Sequence, residues 1–186
     1  NYIFSLKNSN GGFYLQKNFY QTTLMSSAFS IITLELVDSL DKIEISKEQN
    51  YFLKYQDEKT GFFVDPNLKL DYKKIEDIEL NYIHYQTTAF SVSALDALGM
   101  KPKYDFTFLN AFRGKEKISK FFEKIDWRNP WHESNKIMFL LQFFSYEYIV
   151  MKKENSLYDI HTILDCLDSA QDSKTGLWGT QFKASS

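Results

Sequence analysis

The chain has 186 residues, enough for one domain of the common ~100–200-residue size. Hydrophobic residues make up 44% and aromatic residues 17%, ample for a core, while a net charge of −2 lacks the basic excess of nucleic-acid binders, so no nucleic-acid partner is expected. Cys166 is the one cysteine, which excludes an internal disulfide and a multi-cysteine zinc site; a reducing, cytoplasmic location with no metal and no cofactor is the expectation.

The chain opens Asn1-Tyr2-Ile3-Phe4, with neither a basic n-region nor an apolar h-region. Asn8-Ser9-Asn10-Gly11-Gly12-Phe13-Tyr14 then gives the first glycine–aromatic junction. Tyr20-Gln21-Thr22-Thr23 follows, ahead of an apolar run from Leu24 to Val37 that predicts a helix buried on most sides. Thr22 is the expected cap, its hydroxyl taking an orphan N–H of the first turn. Ser46-x-x-Gln49 has capping-box spacing and opens a helix expected to end near Gln56. A second junction, Gln56-Asp57-Glu58-Lys59-Thr60-Gly61-Phe62-Phe63, comes next. Residues 66–83 form an insertion, its Leu68, Leu70 and Tyr72 alternating while Ile75 and Ile78 are spaced helically.

Tyr85-Gln86-Thr87-Thr88 repeats the earlier tetrapeptide before the run Ala89–Leu98 and marks a second helix start, with Thr87 as cap. The arm from Thr107 to Lys124 carries Phe108, Phe112, Ile118, Phe122 and Ile125 on one side, with Gly114 as its break. The degenerate junction Trp127-Arg128-Asn129-Pro130-Trp131 lacks the glycine, but Asn129 can cap and Pro130 suits the first helical position. Ile137–Met151 is the most apolar stretch; Gln142, Ser145 and Glu147 interrupt it and it is shorter than the ~20 residues that span a bilayer. A buried helix, with no transmembrane segment, is expected. Ser156-x-x-Asp159 starts the last arm, whose Leu157, Ile160, Ile163, Leu164, Leu167 and Ala170 form a one-sided stripe. His161, Asp165 and Asp168 share that arm and are expected to be structural or solvated. The arm ends at Gln171-Asp172-Ser173-Lys174-Thr175-Gly176-Leu177-Trp178, a close copy of the second junction.

The junction glycines Gly61 and Gly176 lie 115 positions apart, two units of about 57 residues, and Gly12 lies 49 before Gly61. The pattern predicts an all-α single repeat domain over 1–186. Its hairpins are expected at about 20–57, 85–125 and 129–171, with alternating inner and outer helices.

At these residues the chain resembles the prenyltransferase and squalene-cyclase repeat family. Gln171…Gly176-Leu177-Trp178 matches the cyclase form, Gly11-Gly12-Phe13 the prenyltransferase form, and Thr88 to Gly99 looks like the family's inner helix. The resemblance implies an α/α toroid, whose inner helices surround a cavity. Three hairpins are about half of a closed ring, so it implies either part of a longer chain or a half-toroid completed by a second subunit or domain. The cyclases' Asp-x-Asp-Asp motif is absent. Asp165 stands directly beside Cys166, which does not match the prenyltransferases' zinc-ligand spacing.

In such a toroid the inner-helix N-termini crowd one mouth of the cavity, where free N–H groups favour polar or anionic ligands. Tyr20, Gln21, Tyr85, Gln86, Trp127, Trp131, Glu133 and Asn135 are the expected binding residues there, with His84 and His132 as proton carriers. Glu147, inside an apolar helix, needs a partner or a raised pKa and is a further candidate lining the lumen. Three functions compete. One is the binding of an apolar or sugar-like small molecule, or of a partner, in a terpenoid-cyclase-like cavity, with any acid–base work by His132 or His84. Another is a carbohydrate-active lyase, epimerase or hydrolase, although no facing pair of carboxylates stands out. The last is a non-catalytic interaction module presenting a concave apolar face.

Overall fold

The computed structural model describes residues 2–179. Among them are six α-helices and no strand: α1 Leu24–Leu36, α2 Ile45–Lys54, α3 Tyr82–Ala97, α4 Lys115–Phe122, α5 Pro130–Ile149 and α6 Asn155–Ala170. The expected all-α class holds. None of these helices is long and apolar enough to cross a membrane. The chain forms two compact units, Asn1–Phe108 and Leu109–Ser186.

In the first unit α1 packs along α3, burying Ala28, Ile31 and Leu34 against a core that includes Val92 and Leu95. The α1 cap falls one residue later than the sequence suggested. Thr23, in extended backbone, accepts the Ser26 N–H, and the Ser26 hydroxyl accepts the Thr23 N–H in return. Asp65, from beyond the second junction, takes the Leu24 N–H at 2.9 Å. The second start differs more. Helix α3 begins at Tyr82, so Thr87 and Thr88 lie inside it and are buried. An interior threonine cannot cap, and Thr88 uses its hydroxyl elsewhere, as an acceptor for the Phe63 N–H at 2.9 Å.

That bond defines the repeat. In the second junction Gly61 N–H donates to the Asp57 carbonyl, Asp57 N–H to the Phe62 carbonyl, and the Gln56 amide nitrogen to the Gly61 carbonyl. The first junction is one residue shorter: Gly11 N–H donates to Asn8 and Asn8 N–H to Gly12. Gly11, rather than Gly12, is therefore the counterpart of Gly61, and Phe13 of Phe63. Phe13 N–H donates to the Ser27 hydroxyl at 2.9 Å, as Phe63 does to Thr88. Aligning Ser27 with Thr88 brings Ala28-Phe29-Ser30-Ile31 onto Ala89-Phe90-Ser91-Val92, a register one helical turn away from the Tyr-Gln-Thr-Thr match. The two phenylalanines of that shared motif meet, with Phe29 and Phe90 ring centres 4.7 Å apart.

Each of these two junctions is also clasped from outside. Gly12 N–H donates to the buried Glu48 carboxylate of α2 at 2.7 Å, and Tyr51 of α2 lies against Gly11 and Gly12. The Gln56 side-chain carbonyl accepts the Lys103 and Tyr104 N–H groups, and the Asp105 carbonyl presses on Gly61. Phe13, Phe62 and Phe63 are consequently fully buried.

In the second unit Gly114, at φ +87°, breaks the arm between a short 3₁₀ turn, Thr107–Ala111, and α4. Asn129 accepts the His132 N–H and Pro130 opens α5, as the sequence indicated. Helix α6 packs against both α5 and α4. Ser46 and Ser156 lie one residue inside α2 and α6, and neither helix has a side-chain cap.

The third junction repeats the internal bonds of the second: Gly176 N–H to Asp172, Asp172 N–H to Leu177, and the Gln171 amide to Gly176. Its setting is different. Leu177 is 67% and Trp178 40% exposed, and a Cβ on Gly176 would meet nothing closer than the turn's own Gln171 amide at 4.0 Å.

Glycine at the two matched positions therefore has unequal consequences. Both take positive φ, +82° for Gly61 and +70° for Gly176, which costs an L-residue roughly 1–2 kcal/mol. A Cβ on Gly61 would also lie 2.2 Å from the Asp105 carbonyl oxygen. We expect Gly176→Ala to cost no more than the conformational term and Gly61→Ala to exceed about 4 kcal/mol, as measured by urea unfolding; equal costs would contradict the packing described.

Glu48 gives a pH signature. Burial pushes its carboxyl above the usual 4.5, partly offset by the Gly12 N–H. The native state then holds this proton more tightly than the unfolded chain, so stability falls as pH rises from 4.5 through the raised value. The stability difference between wild type and Glu48→Gln should change across that window with this sign, and a pH-independent difference would show the carboxyl to be unperturbed.

Candidate functional site

The expected site residues of the first unit differ sharply in exposure. Tyr20 is 89% exposed and Gln21 is exposed, both ahead of α1. His84 and Tyr85 are buried in the first turn of α3, and Gln86 beside them is half-buried. His84 Nε2 lies 3.0 Å from the Lys69 carbonyl oxygen, which fixes the hydrogen on that nitrogen. The Tyr85 hydroxyl donates to the Ile75 carbonyl at 2.9 Å, and burial pushes this phenol well above its usual 10. Asn81 donates to the Lys74 carbonyl at 2.6 Å. Three side chains at the start of α3 thus hold carbonyls of the 66–83 insertion, which has few backbone bonds of its own. That is why polar residues cluster there: they satisfy a loop.

In the second unit His132 is half-buried at the first turn of α5, where Asn129 accepts its N–H. Glu133 is buried and its Oε1 lies 2.7 Å from Lys136 Nζ. Asn135 is half-buried on the next turn. Glu147 has the partners its burial demands. The guanidinium of Arg113 and Lys153 Nζ donate to it, the latter at 3.0 Å, as does the Ser156 hydroxyl at 2.8 Å. Arg113 also reaches Asp159, whose other oxygen accepts the Gly114 N–H at 2.8 Å. Glu147 is therefore a structural hub joining α5, the start of α4 and α6, with its oxygens already engaged.

The two remaining candidates do meet. Trp127 and Trp131 line a groove of about 850 Å³ whose other walls include Met138 and Leu141 of α5 and Leu177 and Trp178 of the third junction. All three tryptophans of the chain stand on this one feature. The Trp178 indole N–H is satisfied by the Leu167 carbonyl at 2.8 Å, which holds the ring in place. Trp131 is 86% and Met138 49% exposed. Among the described residues, none that lines the groove is ionisable, and its walls offer mainly apolar contact. The sequence carried a signal for the extra residues. Met138, Leu141 and Ser145 follow one another at helical spacing on a helix apolar all round, and such a helix has a face that needs covering.

A second cavity in this unit, of about 720 Å³, includes Cys166 and His161, and burial raises the Cys166 thiol above its usual 9.0, which leaves little thiolate at neutral pH. No protein-family description, curated protein or solved structure matches the chain.

The Glu147 hub makes a direct prediction. Removing one partner of a buried ion-pair network costs about 3–5 kcal/mol, so Glu147→Ala should lower unfolding stability by that amount, read by denaturant titration of the second unit's tryptophan emission. A loss under about 1 kcal/mol would mean that Arg113 and Asp159 hold the unit without it.

Proposed function

We propose that the chain is a helical-repeat binding domain whose working surface is the tryptophan-lined groove of the second unit. The observation that carries this reading is the convergence of Trp127, Trp131 and Trp178, with exposed Met138 and Leu177, on one uncharged concavity. Apolar concavities of this size with aromatic walls suit an apolar ligand or a partner's side chains, and exposed apolar patches of such extent mark interaction sites. The groove's lack of ionisable side chains favours binding over turnover. His84 and His132 do not line it. The finer reading, an α/α-toroid relative of the terpenoid cyclases and prenyltransferases, draws support from the packing of α1 on α3 in the first unit and of α4 on α6 in the second, since the resemblance implies that like helices of successive hairpins are neighbours.

An apolar fluorescent probe tests the binding surface. Anilinonaphthalene sulfonate should bind one molecule per chain with energy transfer from tryptophan, and Leu141→Asp should abolish the transfer while helicity is kept. Absence of saturable binding, or binding unaffected by Leu141→Asp, would remove the groove as the working surface.

A further inference from the structure

The first two junctions of the chain are each covered by a helix, and the third is not. Phe13 N–H enters the Ser27 hydroxyl of α1, and Phe63 N–H enters the Thr88 hydroxyl of α3. The third junction has the same sequence pattern and the same internal bonds as the second, yet no hydroxyl among the described residues receives the Trp178 N–H. Among the described residues its outer clasp is missing as well. Gln56 accepts two backbone N–H groups from Lys103 and Tyr104, whereas the Gln171 side chain bonds, among the described residues, only within its own turn. Gly61 is pressed by a backbone carbonyl, and a Cβ on Gly176 would meet, among the described residues, only the Gln171 amide at 4.0 Å. The apolar groove lies immediately beside this junction and shares Leu177 and Trp178 with it.

We infer that the groove is a third seat for a helix of the α1 and α3 type, filled by a partner helix that sets a serine or threonine hydroxyl on the Trp178 backbone N–H and lays the face matching Ala28, Ile31 and Leu34 of α1 against the tryptophans. This rests on the binding-groove reading and names its occupant. The chemistry of the occupant follows from the two filled seats. Both helices carry a hydroxyl, then Ala-Phe-Ser, a β-branched residue and, three further on, leucine: Ser27 to Leu34 and Thr88 to Leu95. In both, every residue of that pattern that faces the seat is buried: Ser27, Ala28, Ile31 and Leu34, then Thr88, Ala89, Val92 and Leu95. The groove walls hold no charge, matching a face that is itself uncharged.

The filled seats supply the probe. A synthetic peptide copying residues 21–37, which contains no tryptophan, is titrated into the 186-residue chain while tryptophan emission is followed; all three tryptophans report on the groove. A saturable blue shift with micromolar midpoint is expected. A peptide carrying Ser27→Ala should bind about five- to tenfold more weakly, the effect of one lost hydrogen bond. The chain variant Leu177→Asp, at a residue 67% exposed, should keep its circular dichroism and lose the shift. No saturable shift, an equal response to a scrambled peptide of the same composition, or a dimer in sedimentation that already covers the tryptophans would each overturn the inference. Probe binding without peptide binding would overturn it while leaving the groove as an apolar binding surface; failure of both removes both readings.

Discussion

One hydrogen bond organises the first unit: the N–H of a junction aromatic donated into a hydroxyl on the helix that follows. Ser27 shows why this works. Its hydroxyl donates back to the Thr23 carbonyl at 2.7 Å, the usual habit of a serine inside a helix, and its lone pair is left to accept Phe13. The bond therefore leaves the helix's own ladder intact. It satisfies a backbone donor that is otherwise stranded at full burial, where an unpaired N–H costs about 1–3 kcal/mol. It also selects which helix follows which junction, because an apolar side chain at the same place would leave that donor orphaned. Phe13 and Phe63 can be fully buried only because of it.

The second unit is held by a different device. Arg113, Glu147, Asp159, Ser156 and Lys153 join three elements around one buried carboxylate, and the Gly114 N–H at the start of α4 is drawn into the same set. Such a network is worth little over a well-packed apolar core, but it is intolerant of partial loss. It ties the approach of α6 to the α4 start by directional bonds, since Arg113 alone reaches Glu147, Ser156 and Asp159. The groove's walls on α5 and α6 thereby stand on a rigid base.

Between these two devices lies the contrast that gives the molecule its functional reading. A junction can be complete in its internal bonds and still leave its aromatic half in water. The second and third junctions share Gln, Asp, Lys, Thr and Gly at matched positions and share their turn bonds, and among the described residues they differ in what lies across from them. An indole and a leucine are left exposed beside a groove with two more tryptophans, an arrangement that is a cost to an isolated domain.

The sequence by itself determined the local structure. Gln-Asp-x-Lys-Thr-Gly-x-aromatic encodes its turn because the Asp side chain, the Thr hydroxyl and a positive-φ glycine close it from within eight residues. Asn129-Pro130 encodes a helix start by the same local means, and apolar runs or a one-sided stripe at helical spacing marked the long helices. What it left open depends on residues far apart in the chain. Tyr85-Gln86-Thr87-Thr88 reads as a helix start capped by Thr87 until Phe63 is known to face Thr88, and the repeat register of α1 and α3 follows from that bond, not from the more visible Tyr-Gln-Thr-Thr match. His84 reads as a proton carrier and Tyr85 as a binding residue until the carbonyls of Lys69 and Ile75 are found against them. Glu147 reads as a lone buried charge until Arg113 and Lys153 supply its counter-charges. Burial of a junction aromatic, and with it the difference between a core and an open groove, is decided only by what packs across from it, which no local pattern contains.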